Sequence, residues 1–326
     1  MAKISIVIPV YFNEDSLAAL YDDLNEKVLC KLGDDSYEII MVNDSSGDNS
    51  YAVMKELSRL DKNIKTISLS RNFGSHAASL CGLLHATGDC AVTKSADLQE
   101  PSELIIEMFS RWKEGANVVL AVREDRADPS LFSSLYYWLT RKVAIPTMPK
   151  TGFDQFLADR KVIEVLSRLD EPNISLTGQL LWCGFKTEEV RYSRKARETG
   201  VSRWTLKKKI RLVSDTLYGF STAPITAVSI IGAVSCAGSF LWAIYILCAK
   251  LLGTIEVPGW TTLFVFQLFS FGVVMLTLGI LGGYLWRAFD SARGRPTFIV
   301  EEDGTMQDVG GRDDSEKGHK DGNHAE

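Results

Sequence analysis

Five short apolar runs rich in β-branched residues, at 4–10, 37–42, 64–69, 90–93 and 118–122, punctuate the first part of the chain. Each has the length of a buried strand. Between the first two, Leu17, Leu20, Tyr21, Leu24 and Val28 recur at spacings of three and four, which places them on one face of a helix. Strands alternating with helices predict an α/β fold of Rossmann-like form, a parallel sheet with right-handed crossovers covered on both faces. Ligands of such sheets bind beyond the carboxyl ends of the strands. The pattern then changes. Residues 222–249 and 257–286 are two uncharged stretches of 28 and 30 residues, each longer than the roughly 20 residues that a helix needs to cross a bilayer. Buried core helices are the other reading, but these rarely run so far without a charge. A short connection around 250–260, holding Pro258 and Gly259, makes the pair a transmembrane hairpin.

Composition changes the picture only when it is divided along the chain. The averages, 46% hydrophobic and 24% charged with a mean hydropathy of +0.02, resemble those of a soluble protein. Yet between Asp215 and Arg287 only Lys250 and Glu256 carry charge, which excludes a uniformly water-soluble globule. The net charge of −5 divides in the same way. Residues 301–326 hold nine acids against Arg312, Lys317 and Lys320, a balance of −6, and the rest of the chain is +1. That acidic, Gly-rich tail has too little apolar surface to offset its ordering entropy and is expected to be disordered. Six cysteines at irregular spacing, with no C-x-x-C pair, give neither a zinc site nor a disulfide framework.

The predicted organisation is a soluble α/β domain at 1–202, a basic juxtamembrane helix at 203–220, the hairpin at 221–287 with spans near 222–249 and 261–286, a juxtamembrane segment at 288–300 and the tail at 301–326. Lys207, Lys208, Lys209 and Arg211 precede the first span, and Arg287, Arg293 and Arg295 follow the second. The excess of cations on both flanks places the soluble domain and both termini in the cytoplasm, at the inner (plasma) membrane. The chain's start is too brief an apolar stretch for a signal peptide.

The chemistry gathers where the strands end. The first runs into Pro9-Val10-Tyr11-Phe12-Asn13-Glu14, the second into Asn43-Asp44-Ser45-Ser46-Gly47-Asp48, the third into Ser70-Arg71-Asn72-Phe73-Gly74 and the fourth into Ser95-Ala96-Asp97-Leu98-Gln99-Glu100-Pro101. Any one of these reads equally as a turn or helix cap. Four on one sheet edge, mixing carboxylates with an arginine, read as a site. Neither G-x-x-x-x-G-K-[ST] nor G-x-G-x-x-G is present, so a nucleotide diphosphate held here would need a metal and arginines.

These motifs, with a later R-x-x-R-x-x-G-x-S-R-W and two spans, resemble the polyprenyl-phosphate glycosyltransferases of glycosyltransferase family 2, a group that includes dolichol-phosphate mannose synthases and bactoprenol glucosyltransferases. The likeness runs over about residues 3–300 and implies a nucleotide-diphospho-sugar transferase domain of GT-A type. By that resemblance Asp44 contacts the nucleoside, with Asp48 a weaker candidate, while Pro9, Tyr11 and Glu14 line the base and ribose side. The family's D-x-D-L-Q loop holds a divalent cation, Mg²⁺ or Mn²⁺, on the donor diphosphate. Here Ser95 stands at its first position, leaving Asp97 and Gln99 as the matching ligands. One carboxylate in place of two predicts weaker binding, a metal requirement in the millimolar range that excess EDTA would expose.

The reaction implied is inverting attack of a lipid phosphate on the anomeric carbon. A phosphate monoester is already anionic near neutral pH, so cations that hold it matter as much as a base. Arg194, Arg197, Ser202 and Arg203 match the family's phosphate-gripping pattern, and Lys207, Lys208, Lys209 and Arg211 read as a stripe on anionic headgroups. The position of this patch against a span argues against nucleic acid. Arg71 and Arg123 are further phosphate-side candidates. Asp154 matches a family acid near the reacting sugar, and it is expected either to orient or deprotonate the acceptor or to be an N-terminal acid of a helix at 160–169. His76 and His85 read as structural. Donor and acceptor are expected to be a nucleotide sugar, UDP-glucose by frequency within the family, and undecaprenyl phosphate. Glycines along the spans permit close packing, and the resemblance implies a homo-oligomer, a tetramer. A processive polysaccharide synthase is one competing reading, but it carries more spans and a Q-x-x-R-W motif, whose glutamine is here Gly200. A non-catalytic nucleotide-binding scaffold is the other.

Overall fold

The computed structural model describes residues 1–124, 137–169, 175–193, 221–252 and 259–304. All five apolar runs are strands. β1 (Lys3–Val10), β2 (Ser36–Asn43), β3 (Ile64–Leu69), β4 (Cys90–Thr93) and β5 (Val118–Arg123) alternate with α1 (Leu17–Lys27), α2 (Ser50–Leu60), α3 (Ser75–His85) and α4 (Leu104–Lys113). There follow β6 (Phe153–Asp159), α5 (Arg160–Leu166), α6 (Leu176–Trp182), β7 (Thr187–Tyr192), two long helices α7 (Ala223–Leu251) and α8 (Trp260–Ala292), and β8 (Val300–Asp303). The strands form one sheet in the order β7-β5-β6-β4-β1-β2-β3-β8.

Two expectations are corrected. The sheet is mixed rather than parallel. β1, β2, β3 and β4 pair in parallel, as do β5 and β7, but β6 runs antiparallel between β4 and β5, and β8 runs antiparallel to β3. Because β6 runs against its neighbours, it begins at the edge where they end. The second correction concerns the tail. Glu301, Glu302 and Asp303 belong to β8, an edge strand in which Glu301 and Glu302 are exposed. Val300 and Phe298 pack against the core, Lys55 Nζ meets Glu302 at 2.6 Å, and the Gly304 amide donates to the Thr66 carbonyl at 2.8 Å. Residues 305–326 and the predicted juxtamembrane helix at 203–220 lie outside the described residues.

Alternation along the strands divides the core into two layers. Ile4, Ile6 and Ile8 meet Leu17, Leu20, Leu24, Met54 and Met108 on one face, and Val7, Ile40 and Val42 meet α3, α5 and α6 on the other. Fully burying each such side chain stabilises the fold by about 1.5–3 kcal/mol. Gly82 lets α3 lie directly on β1, since a Cβ there would sit 2.3 Å from Val7 Cγ1.

The amino-terminal edge is closed by a polar lock rather than by a site. Glu38, 2% exposed, accepts from Ser5 Oγ at 2.6 Å and from the Thr87 amide at 2.6 Å, and it pairs with Lys3 and Lys65 at 3.1 and 2.9 Å. Burial works to raise its pKa, but the bonds from Ser5, Lys65 and Thr87 prevail and hold it at about 2 against an ordinary 4.5. A depressed carboxylate pKa contributes stability above pH 4.5 and loses it as pH falls towards 2. Glu38→Gln should therefore cost about 3 kcal/mol at pH 7. Thermal unfolding of the two proteins should converge between pH 4.5 and 2, and a gap independent of pH would contradict this assignment.

α7 and α8 are long and apolar enough to cross a membrane. They have 29 and 33 residues, about 44 and 50 Å at 1.5 Å per residue. Phe240, Leu241 and Trp242 on α7 and Phe264, Phe266, Phe269 and Phe271 on α8 are exposed.

Candidate active site

The carboxyl ends of β1, β2 and β4 carry the three described non-glycine residues with left-handed backbone: Phe12 (φ 57°), Ser45 (φ 55°) and Leu98 (φ 57°). Each such conformation costs on the order of 1–3 kcal/mol and persists only where surroundings enforce it. Here the enforcement comes from cross-loop bonds. The Phe12 amide donates to Ser46 Oγ at 3.1 Å, the Asn13 amide to Ser50 Oγ at 2.8 Å and the Ser46 amide to Asn43 Oδ1 at 3.0 Å. Ser16 Oγ donates to the Ala96 carbonyl at 2.7 Å, tying the start of α1 to the β4 loop. The loops form one braced rim.

The predicted nucleotide-side residues lie on this rim. Pro9 pairs with Val42 near the end of β1. Tyr11 and Phe12 are exposed and meet edge to face with ring centres 4.7 Å apart, an aromatic surface at the mouth. Glu14 Oε2 accepts the Asn49 amide at 2.9 Å, and Asp48 accepts from the amides of Ser50 and Glu14 at 3.2 and 3.3 Å. Both therefore brace loops. Asp44 is 2% exposed, and its two oxygens take the amides of Phe73 and Gly74 at 2.7 and 2.9 Å. Burial pushes its carboxyl up, against those two bonds and the charge of Arg71. Asp44 thus sets the shape of the β3–α3 loop, where Gly74 adopts a φ of 98° that an L side chain resists. Arg71 is exposed, with its guanidinium 3.9 Å from the Phe73 ring centre.

The β4 loop holds groups that the motif did not single out. Asp97 Oδ1 accepts from Ser95 Oγ at 2.9 Å and from the Gln99 amide at 3.3 Å. Ser95 Oγ also bonds Glu100 Oε2. Lys94, 1% exposed, donates to the Glu100 carbonyl. Burial pushes its ammonium below the ordinary lysine value, while Glu100, Asp23, Asp97 and Glu103 oppose the shift. A lysine directly after a buried four-residue strand was the signal for it in the sequence. The donors in the loop are oxygens, the Asp97 carboxylate and Gln99 amide among them, which suits a hard cation such as Mg²⁺ or Mn²⁺.

A second cluster stands further along the same edge. Arg123 ends β5, Asp154 sits near the start of antiparallel β6 and Tyr192 ends β7. Arg123 Nε bonds Asp154 Oδ2, and Tyr192 Oη donates to the same oxygen at 2.8 Å. Burial and Asp154 push the Tyr192 hydroxyl above its ordinary range, so it keeps its proton and acts as a donor. Asp154 is therefore a strand residue, and the N-cap of α5 is Asp159, which accepts the Lys161 amide. Tyr192 was not legible beforehand. Arg194, Arg197, Ser202 and Arg203 lie outside the described residues. His85 Nδ1 contacts the Cys81 carbonyl at 2.8 Å, in keeping with a structural role.

Residues 5–167 match the model of Glycosyl transferase family 2. The glycosyltransferase YkcC of Bacillus subtilis (strain 168) is 37% identical over 302 residues, covering 91% of this chain and 93% of its own. The chain is a member of glycosyl transferase family 2. This family 2 glycosyltransferase is also 32% identical over 304 residues to the SfII prophage-derived bactoprenol glucosyl transferase of Shigella flexneri, covering 92% of this chain and 98% of that one. Among solved structures, the mannosyltransferase PcManGT from Pyrobaculum calidifontis, in complex with GDP-Man and Mn²⁺, aligns with a TM-score of 0.45 at 14% identity, covering 85% of this chain and 87% of its own.

Proposed function

We propose that this glycosyltransferase moves a hexose from a nucleotide sugar to polyprenyl phosphate at the cytoplasmic face of a membrane. The observation that carries the reading is the path of the chain after α8. Only seven residues separate Ala292 from Val300, a reach of at most about 29 Å. The chain enters the sheet at the carboxyl end of β3, where the Ser70 amide donates to the Ile299 carbonyl at 3.0 Å. The strand-end rim is thereby tethered close to the end of an apolar helix, within reach of a lipid headgroup. Kinship with a bactoprenol glucosyl transferase over nearly the whole chain supports the same acceptor, and glucose is the first sugar to test.

A lipid phosphate oxygen attacks the anomeric carbon, the bond from that carbon to the diphosphate oxygen breaks, and nucleoside diphosphate leaves with inversion. Asp97 and Gln99 would hold a divalent cation, which when bound supplies positive charge to the leaving diphosphate. Tyr11 and Phe12 offer the base an apolar surface, and Arg123, held by Asp154, faces the anionic partners. α7 and α8 form the membrane hairpin, with both flanks on the cation-rich cytoplasmic side.

Purified protein is incubated with labelled UDP-glucose and other sugar nucleotides plus undecaprenyl phosphate, and the lipid phase is extracted. A lipid-linked monosaccharide is expected. Polymer would instead identify a processive synthase, and no product with any donor would leave a nucleotide-binding scaffold.

A further inference from the structure

Ser95 removes one carboxylate from the loop that the cation needs, and the fold returns another to the same place. Leu98, in left-handed backbone, reverses the chain directly after Asp97, and the Asp97 side chain fixes the reversal by accepting the Gln99 amide. The reversal folds position 100 back onto position 95. Glu100 is 3% exposed, and its Oε2 lies within hydrogen-bonding distance of the same hydroxyl that reaches Asp97 Oδ1. Two carboxylates therefore converge on a single small side chain. The charge of Lys94 acts on both, but its hydrogen bond goes to the backbone carbonyl of Glu100, so it braces the loop rather than bridging the two carboxylates.

We propose that Glu100 supplies the second carboxylate of the divalent-cation site, taking the place of the acid that Ser95 replaces. The proposal rests on the reading that Asp97 holds a cation on the donor diphosphate. It revises the expectation of a site weakened by Ser95: the second carboxylate comes from three residues after Asp97 rather than two before it, and affinity is kept.

The test reads metal binding, not turnover. Mn²⁺ is titrated into the detergent-solubilised full chain, alone and with UDP or GDP, and free Mn²⁺ is counted by electron paramagnetic resonance. Glu100→Gln is expected to weaken binding about tenfold to a hundredfold, and Asp97→Asn at least as much. Adding Ser95→Asp to Glu100→Gln should restore affinity to within a few-fold of wild type, because the carboxylate returns at the neighbouring position. Binding by Glu100→Gln within twofold of wild type, with Asp97→Asn impaired, would overturn the role of Glu100 and leave the cation reading standing. Weakening that Ser95→Asp fails to restore would also overturn it, making Glu100 a residue that only shapes the loop. If neither Glu100→Gln nor Asp97→Asn changes Mn²⁺ binding, the cation reading itself falls.

Discussion

Asp97→Asn is expected to lower the formation of lipid-linked sugar by about a thousandfold or more while leaving the protein folded. Asparagine has the same size and keeps an oxygen at Oδ1, so it can still accept from Ser95 Oγ and the Gln99 amide, the two bonds that fix the loop. What it removes is the charge. Placing a cation against the leaving diphosphate contributes several kcal/mol to the transition state, and each 1.4 kcal/mol is about tenfold in rate. Thermal unfolding should change little, because Asp97 is only half-buried and its structural bonds survive. Turnover within tenfold of wild type would remove Asp97 from the centre of the reaction.

What the sequence disclosed and what it hid divide along a physical line. The five apolar runs were legible because a strand buried on both faces must be apolar throughout, whatever its partners. β6 was not, since F-D-Q-F-L-A-D mixes Asp154 and Gln155 into the run and the direction of a strand leaves no mark in composition. β8 was hidden by its acids, because only its pairing with β3 marks V-E-E-D as a strand. The strand-end motifs marked the site, but not the division of labour within it. Asp44 and Glu14 read as ligand contacts, and the fold spends their oxygens on backbone amides. The motif gave no role to Lys94 or Glu100, and the fold buries both. Burial of a charge depends on partners far away in the chain, such as Asp23 on α1, which neither spacing nor periodicity encodes.

Asp154 carries the last of the large effects. Asp154→Asn is expected to reduce kcat by about a hundredfold to a thousandfold, through Arg123 rather than through proton transfer. Its Oδ2 already accepts hydrogen bonds from Arg123 Nε and Tyr192 Oη, which leaves that oxygen little room to take a proton from an acceptor. The acceptor has small need of a base, because a phosphate monoester loses its second proton near pH 6. The carboxylate instead fixes a half-buried guanidinium at the carboxyl edge, and removing one partner of such a pair leaves the other charge uncompensated and misplaced. Tyr192→Phe deletes one of the two bonds, worth about 1 kcal/mol, and should cost less than tenfold. The pH profile separates the two roles. If Asp154 positions Arg123, Asp154→Asn keeps the acid limb near pH 6 and is slower at every pH. If Asp154 is the base, the profiles of the two proteins differ in shape, and the positioning role is refuted.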